Sequence, residues 1–430
     1  MNNRTYAPLF RPRASLAGIL RTILSVEDLR KARTFTPPFS VNFIKLFIFF
    51  HHNSSFIIHH SSFLIHNLIS IAFITKIHTI NIERKTEFFM KLICGPMATI
   101  SHPAFRILVE QFGGCDEYYT EMINAGTLIT NGPFEKYYID PTPCPEKLVW
   151  QIIGKNEELT TLAVKQIAEL PGIGIDINMG CSAPDIYRFG SGIAWMTKPL
   201  EETALMIRNA KKQIDEYNKN GEFPKRFSAK IRLGDENFTD ESFYTFCDML
   251  VNEGVECITL HPRTKKEKLA RPPRHFYCED LAQKMKKHNV QVYLNGNVKD
   301  IPSAQKAIQT APTCDGVMIS RAAVQKPWIF VQIKSEIFKE NVTDSSILQN
   351  GKIDMLQMAF DYIDNVEKYQ PQEFWKTRLQ RFFTYYADNF LFAHMLKTKM
   401  LNAIDNQDMK DKLVDFFEKF PEEKYRDYLK

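Results

Sequence analysis

Residues 174–196 read GIDINMGCSAPDIYRFGSGIAWM, and the fold follows from how this stretch is parsed. Ile175 and Ile177 are β-branched and alternate with Asp176 and Asn178, which is the pattern of a strand; the run then stops at Gly180-Cys181. The loop beyond carries Pro184, Gly190 and Gly192, and its glycines permit close approach of backbone to a ligand or to a moving segment. A strand that delivers a thiol to a glycine-loosened loop suits a barrel of parallel strands, where the C-terminal strand ends form the active site. A cysteine after a strand is also ordinary core packing, and the residues around it decide between the two.

Working outward, residues 91–330 alternate short apolar runs with helical patterns, the signature of βα units. Eight strands are predicted: 92–97, 117–122, 149–153, 174–178, 227–233, 256–261, 291–296 and 316–320. Helices are predicted at 158–169, 202–217, 239–252 and 280–287. Eight strand and crossover units predict a (β/α)8 TIM barrel, an α/β fold. The alternative, a doubly wound open sheet, lacks the Gly-rich phosphate turn expected after its first strand. Beyond Phe330 the pattern becomes helical. Residues 339–352 read as a polar linker, and helices at 353–368 and 373–392 predict a small all-helical C-terminal domain. The boundaries that follow are 90–338 for the barrel and 345–430 for the helical domain.

The first 89 residues have another texture. No Asp, Glu, Lys or Arg occurs from Leu46 to Thr75, six of the eleven histidines fall between 51 and 78, and SSFIIHH is nearly repeated as SSFLIHN. Histidines and serines interrupt the apolar run too often for a bilayer core, and the arrangement is not that of a secretory signal. The extension is atypical, and reads as a misassigned start or a disordered lead, with Met90 standing directly before the first strand.

Residues 1–90 hold 11 of the 55 Lys and Arg and 4 of the 50 Asp and Glu, so the remainder carries 44 against 46, a net charge of −2. Binding to nucleic acid therefore has to come from local basic patches. Eight scattered cysteines without zinc-ligand spacing point to a reducing, cytoplasmic setting and to no structural metal. No stable membrane association is expected, and the chain is expected to be a monomer.

The strand ends carry Pro96-Met97, Thr120-Glu121-Met122, Gln151, Asn178 with Cys181, Lys230 with Arg232, His261 with Arg263, Asn295-Gly296-Asn297 and Ser320-Arg321. Singly, each is an ordinary rim residue; together on one face they make a pocket. Asn295, Gly296 and Asn297 after strand seven, with Ser320-Arg321 ending strand eight, occupy the usual phosphate position of such barrels. Lys230 offers charge to an electron-rich ring, and Gln151 and Asn178 offer hydrogen bonds to a polar ring edge. That is the pose of flavin mononucleotide (FMN).

The ordered series GPM, YYTEM, WQIIGKN, DINMGC, AKIRLG, LHPRT, NGNV and GVMISRAAVQKPWIF resembles the tRNA-dihydrouridine synthases across residues 91–330. The segment with Trp375, Arg378, Leu379 and Phe382 resembles that family's RNA-binding domain. The resemblance implies reduction of uridine in tRNA with bound FMN recharged by NADPH or NADH. It further implies Pro96, Met97, Ala98, Gln151, Lys230, His261, Asn295, Gly296, Asn297, Ser320 and Arg321 as cofactor contacts, and Cys181 as general acid. Two departures stand out: Ser182-Ala183 precede Pro184 where the family has proline directly after the cysteine, and Ser320-Arg321 replaces Gly-Arg.

Arg263, Lys265, Lys266, Lys268, Arg378 and Arg381 are the expected RNA contacts. As isolated charge runs they would be solvated faces. Phe382, Phe383, Tyr386 and Phe390 at helical spacing predict core rather than a base-stacking platform. Competing functions are an FMN barrel reductase of a free pyrimidine, of the dihydroorotate dehydrogenase type, and a non-catalytic RNA-binding protein.

Overall fold

The computed structural model describes residues 90–267, 270–340, 348–349 and 351–428. The N-terminal extension and Lys268 lie outside them. The described residues belong to one compact unit.

The sheet is built from β1 (Lys91–Cys94), β2 (Glu117–Tyr119), β3 (Ile123–Asn124), β4 (Leu148–Ile153), β5 (Gly174–Met179), β6 (Arg226–Ile231), β7 (Cys257–Leu260), β8 (Gln291–Asn295) and β9 (Gly316–Ile319). All neighbours are parallel, in the order β2-β1-β9-β8-β7-β6-β5-β4-β3, and β2 also pairs with β4, which closes the ring. β2 and β3 are two halves of one stave, so the barrel has the eight staves expected. The predicted strand 117–122 breaks in the middle for a local reason. Thr120 Oγ1 accepts the Gln151 backbone N–H at 3.0 Å, and Glu121 commits its carboxylate to Thr99 and Arg378.

Crossover helices α1 (Pro103–Gln111), α2 (Glu157–Ala168), α3 (Leu200–Asn218), α4 (Asp240–Asn252), α5 (Phe276–Met285), α6 (Ile301–Thr310), α7 (Arg321–Gln325) and α8 (Ile329–Glu336) surround the sheet. Their starts are set chemically: the Asn156 side chain caps α2, and Thr239 with Ser242 forms a capping box on α4.

Alternate strand residues point inward. Ile93, Tyr119, Val149, Cys257, Tyr293 and Met318 fill the middle of the barrel. Below them, at the N-terminal ends, Glu117 takes two hydrogen bonds from Arg226, at 2.9 and 2.6 Å, one from Lys91 at 2.8 Å and one from the Tyr293 hydroxyl at 2.9 Å. The C-terminal ends are left for the site.

The chain continues into α9 (Met355–Tyr369), α10 (Gln372–Tyr386), α11 (Ala393–Leu401) and α12 (Asn406–Lys419). Phe382, Phe383 and Tyr386 are fully buried and Phe382 stacks on Tyr362 at 3.7 Å, so these aromatics are core, as their spacing predicts. Each such ring stabilises the fold by about 1.5–3 kcal/mol. Two expectations need correction. The predicted helix 373–392 ends at Tyr386, where the Asn389 amide turns back to the Tyr386 carbonyl at 3.0 Å and to Gln325 O at 2.6 Å. The polar linker 339–352 also holds strand structure: β10 (Leu348–Gln349) and β11 (Lys352–Asp354) join β12 (Tyr425–Asp427) in an antiparallel sheet. Among the described residues, no helix is long and apolar enough to cross a membrane.

Candidate active site

Strands β4, β5 and β6 place Gln151, Asp176, Asn178, Ser228 and Lys230 on the inner face near the top of the barrel, with Asp176 opposite Ser228 and Asn178 opposite Lys230 in register. Asp176 is fully buried. Its Oδ1 accepts from Ser228 Oγ at 2.8 Å and its Oδ2 from Gln151 Nε2 at 2.7 Å. Gln151 Oε1 accepts from Asn178 Nδ2 at 2.9 Å. Asn178 Oδ1 then accepts the backbone N–H groups of Gly180 and Cys181, at 3.2 and 2.9 Å. An ionised carboxylate has only acceptors, so Asp176 fixes the orientation of both amides and gives the chain one direction, ending on Cys181. Burial raises the Asp176 carboxyl to about 6, against the hydrogen bonds from Gln151 and Ser228 and the charges of Lys230 and Arg226.

The backbone at Cys181 is held from other sides as well. Arg232 Nε donates to Gly180 O at 2.8 Å, and Ile193 N–H donates to Cys181 O at 3.0 Å. Gly192 allows the second contact: it has φ +63°, and a Cβ there would lie 2.5 Å from Cys181 O. Of the eight free cysteines, Cys181 alone is not buried. A fixed backbone thus carries a free, partly exposed thiol, with Lys230 and Arg232 within electrostatic reach.

Positive charge is concentrated at this end. Burial and then Arg232 bring the Lys230 ammonium down to about 8. Burial holds His261 far below its ordinary range, helped by Lys230, Arg232, Arg263 and Arg321. Geometry agrees: Arg263 Nη1 lies 2.7 Å from His261 Nε2, and since arginine only donates, that nitrogen accepts and His261 is neutral with its proton on Nδ1. Arg232 Nη1, Arg263 Nη2 and Thr259 Oγ1 are buried and have no hydrogen-bond partner in the protein. Such unpaired donors are costly unless a ligand takes them.

The rim is cut for close approach. A Cβ on Gly95 would come 2.5 Å from Ser320 Oγ, so the loop holding Pro96, Met97 and Ala98 lies against Ser320-Arg321. Gly296 has φ +125° and Asn297 φ +53°, a turn that Asn295 ties to Met318 O at 2.9 Å and His275 Nε2 ties to Gly296 O at 2.9 Å. Orphan donors, surplus cations and glycine cradles fit a planar ring carrying a phosphate.

The expected cofactor residues therefore converge at the C-terminal strand ends. Asp176 and Ser228 were not among the expected site residues, and Arg232 stood only as a strand-end residue. Their signal was the period-two alternation that puts Asp176 with Asn178, and Ser228 with Lys230, on one face. The expected RNA contacts scatter. Arg263, expected as an RNA contact, is 1% exposed and lies against His261 at the strand ends rather than on the surface. Arg378 is not on the surface either, because its buried side chain pairs with Glu121 at 2.7 Å. Lys265 binds Asp235 and lies 3.4 Å over the Tyr187 ring. Lys266, with a side chain 74% exposed, and Arg381 face solvent.

The family model for dihydrouridine synthase (Dus) matches residues 92–419. A probable tRNA-dihydrouridine synthase of Aquifex aeolicus is 32% identical over 248 residues, 57% of this chain and 73% of that one. One from Helicobacter pylori is 27% identical over 249 residues, 58% of this chain and 71% of that one. A probable tRNA-dihydrouridine synthase 2 of Bacillus subtilis is 24% identical over 339 residues, 76% of this chain and 94% of that one.

Proposed function

The chain belongs to the dihydrouridine synthase family, and on that premise we propose that it reduces a uridine of tRNA to 5,6-dihydrouridine with Cys181 as general acid. The observation that carries the role of Cys181 is the directed hydrogen-bond chain from Asp176, which ends on the Cys181 N–H and leaves the thiol free. FMN held here, and recharged by NADPH or NADH, would supply hydride chemistry at C6 of the uracil ring. Cys181 Sγ–H gives its proton to C5, so that one hydride and one proton together saturate the double bond. This requires a thiol rather than a thiolate. Lys230 and Arg232 bring positive charge to the side where the ring becomes negative.

The groups that would hold the cofactor divide by chemistry. Arg321, Asn295, Gly296 and Asn297, with Arg263 behind His261, suit a phosphate. Gln151, Asn178 and Lys230 suit the polar edge of a flavin ring, and Pro96–Ala98 its flank. Lys266 and Arg381, with Lys376 on the same helix as Arg381, form the proposed tRNA track on the outside, and the helices after the barrel are its scaffold. Eight free thiols fit a cytoplasmic setting.

The test is Cys181→Ala. The purified variant retains its flavin absorbance, while the rate of dihydrouridine formation, read by mass spectrometry of tRNA as the added H2, falls about 10²–10⁴-fold. Undiminished turnover would remove Cys181 from the mechanism. Reduction of free uracil or orotate in place of tRNA would overturn the substrate.

A further inference from the structure

Arg378 and Glu121 are 257 residues apart in sequence and meet at 2.7 Å, with side chains only 2% and 5% exposed. Arg378 sits on α10, outside the barrel, and its guanidinium is walled by the rings of Phe374, at 4.9 Å, and Tyr138, at 5.8 Å. Glu121 lies in the break between β2 and β3. Its Oε2 takes Arg378, and its Oε1 accepts the backbone N–H of Thr99. Thr99 has φ +66°, a left-handed conformation that a β-branched residue adopts only under constraint. The residues directly before it are Pro96, Met97 and Ala98, the loop assigned to the cofactor. Within this loop Met97 N–H donates to Ser101 Oγ at 3.0 Å and Ser101 Oγ to Gly95 O at 3.2 Å, so the strained residue lies at the edge of a short, self-bonded turn.

We propose that Arg378 and Glu121 act as positioning residues: the helical region, through this ion pair, pins Thr99 and so holds the loop after β1 in its flavin-binding shape. The proposal rests on the assignment of Pro96–Ala98 to flavin. Its logic is that a carboxylate is a stronger acceptor than a carboxylic acid. Burial pushes the Glu121 carboxyl upward, and Arg378 is the main influence opposing it. Without Arg378, Glu121 takes up a proton, its hold on the Thr99 N–H weakens, and the threonine relaxes toward an extended backbone. Docking of helices outside the barrel is thereby linked to cofactor affinity inside it.

The experiment is a double-mutant cycle on the full chain, with FMN affinity measured by flavin fluorescence. Arg378→Met raises the dissociation constant about ten-fold, a coupling ordinary for groups in contact. Thr99→Gly removes the steric cost of the left-handed conformation, so Arg378→Met in that background changes affinity by less than about three-fold relative to Thr99→Gly alone. Arg378→Lys keeps the charge and retains most of the affinity. A purely structural role for Arg378 would give the same ten-fold loss in both backgrounds, and that result overturns the proposal. Should Arg378→Met fail to fold, Glu121→Gln supplies the same cycle with a side chain of equal size. Wild-type protein that binds no FMN would instead sink the flavin assignment itself, a distinct outcome.

Discussion

The two ends of the barrel meet the same problem, charge inside a closed ring of strands, with opposite results. At the N-terminal end two cations converge on Glu117, and a tyrosine hydroxyl completes its shell. At the C-terminal end Lys230, Arg232, Arg263 and Arg321 have, among the described residues, no carboxylate within hydrogen-bonding distance, while the buried Asp176 is already engaged by Gln151 and Ser228. Arg226 leaves one nitrogen unpaired at the closed end; Arg232, Arg263 and Thr259 each leave a donor unpaired at the open one. The first arrangement stabilises the folded chain. The second leaves donors without acceptors, which is what suits it to an anionic ligand.

The largest effect expected from this contrast is at the closed end. Glu117→Ala removes a buried carboxylate and leaves the half-buried Arg226 without its ion-pair partner, lowering stability by about 3 kcal/mol in urea unfolding, with flavin still bound by the folded fraction. At the open end the signs exchange. Arg263→Met weakens FMN binding by about 1.5–3 kcal/mol while the flavin-free protein unfolds at the same denaturant concentration or higher. An equal loss of flavin-free stability in both variants would erase the distinction between the ends.

The two buried carboxylates sharpen it through pH. Burial raises the Glu117 carboxyl, but hydrogen bonds and charge from Arg226, then Lys91, outweigh it and hold the group below the ordinary glutamate value of 4.5. Its contribution to stability is therefore present above that pH and is lost as acid protonates it. Asp176 is raised from 3.8 to about 6, so its contribution is present below 3.8 and lost as pH rises through about 6. Activity runs the other way at this site, because protonated Asp176 can no longer dictate the direction of the amides. Turnover is expected to fall about ten-fold per pH unit below about pH 6, and Asp176→Asn to abolish that limb. The groups facing Asp176 are Gln151, Ser228, Lys230 and Arg226, with Tyr119 and Cys257 alongside. A limb that persists in Asp176→Asn would assign it elsewhere.

The smallest effect is on the outer surface. Lys266→Glu is expected to weaken tRNA binding by less than about 1 kcal/mol and to lower its salt dependence, without change in flavin affinity. A change in flavin affinity would mean that the outer surface and the pocket are not separate.

The barrel was legible because strand periodicity is local: eight inward-facing patterns sit in order along the chain, and the polar residues that end them can be lined up without knowing any contact. Asp176 was visible as a polar strand residue, yet its role depends on Gln151 and Ser228, 25 and 52 residues away. Arg378 was misread for the same reason in stronger form. A basic residue on an amphipathic helix looks like a solvated face until a partner 257 residues earlier is known. The break in the second strand was equally hidden, because it is made by a side-chain hydroxyl competing with the sheet ladder.

Seven cysteines are sealed within the core, where burial pushes Cys94, Cys115, Cys247 and Cys278 well above the ordinary thiol range, and only Cys181 meets solvent. The protein therefore carries its own conformational counter. A thiol-reactive dye titrated against the native chain registers one sulfur rapidly and eight after denaturation, so the slow phase of labelling reports global opening at the bench, while the fast phase reports whether the loop around Cys181 is covered.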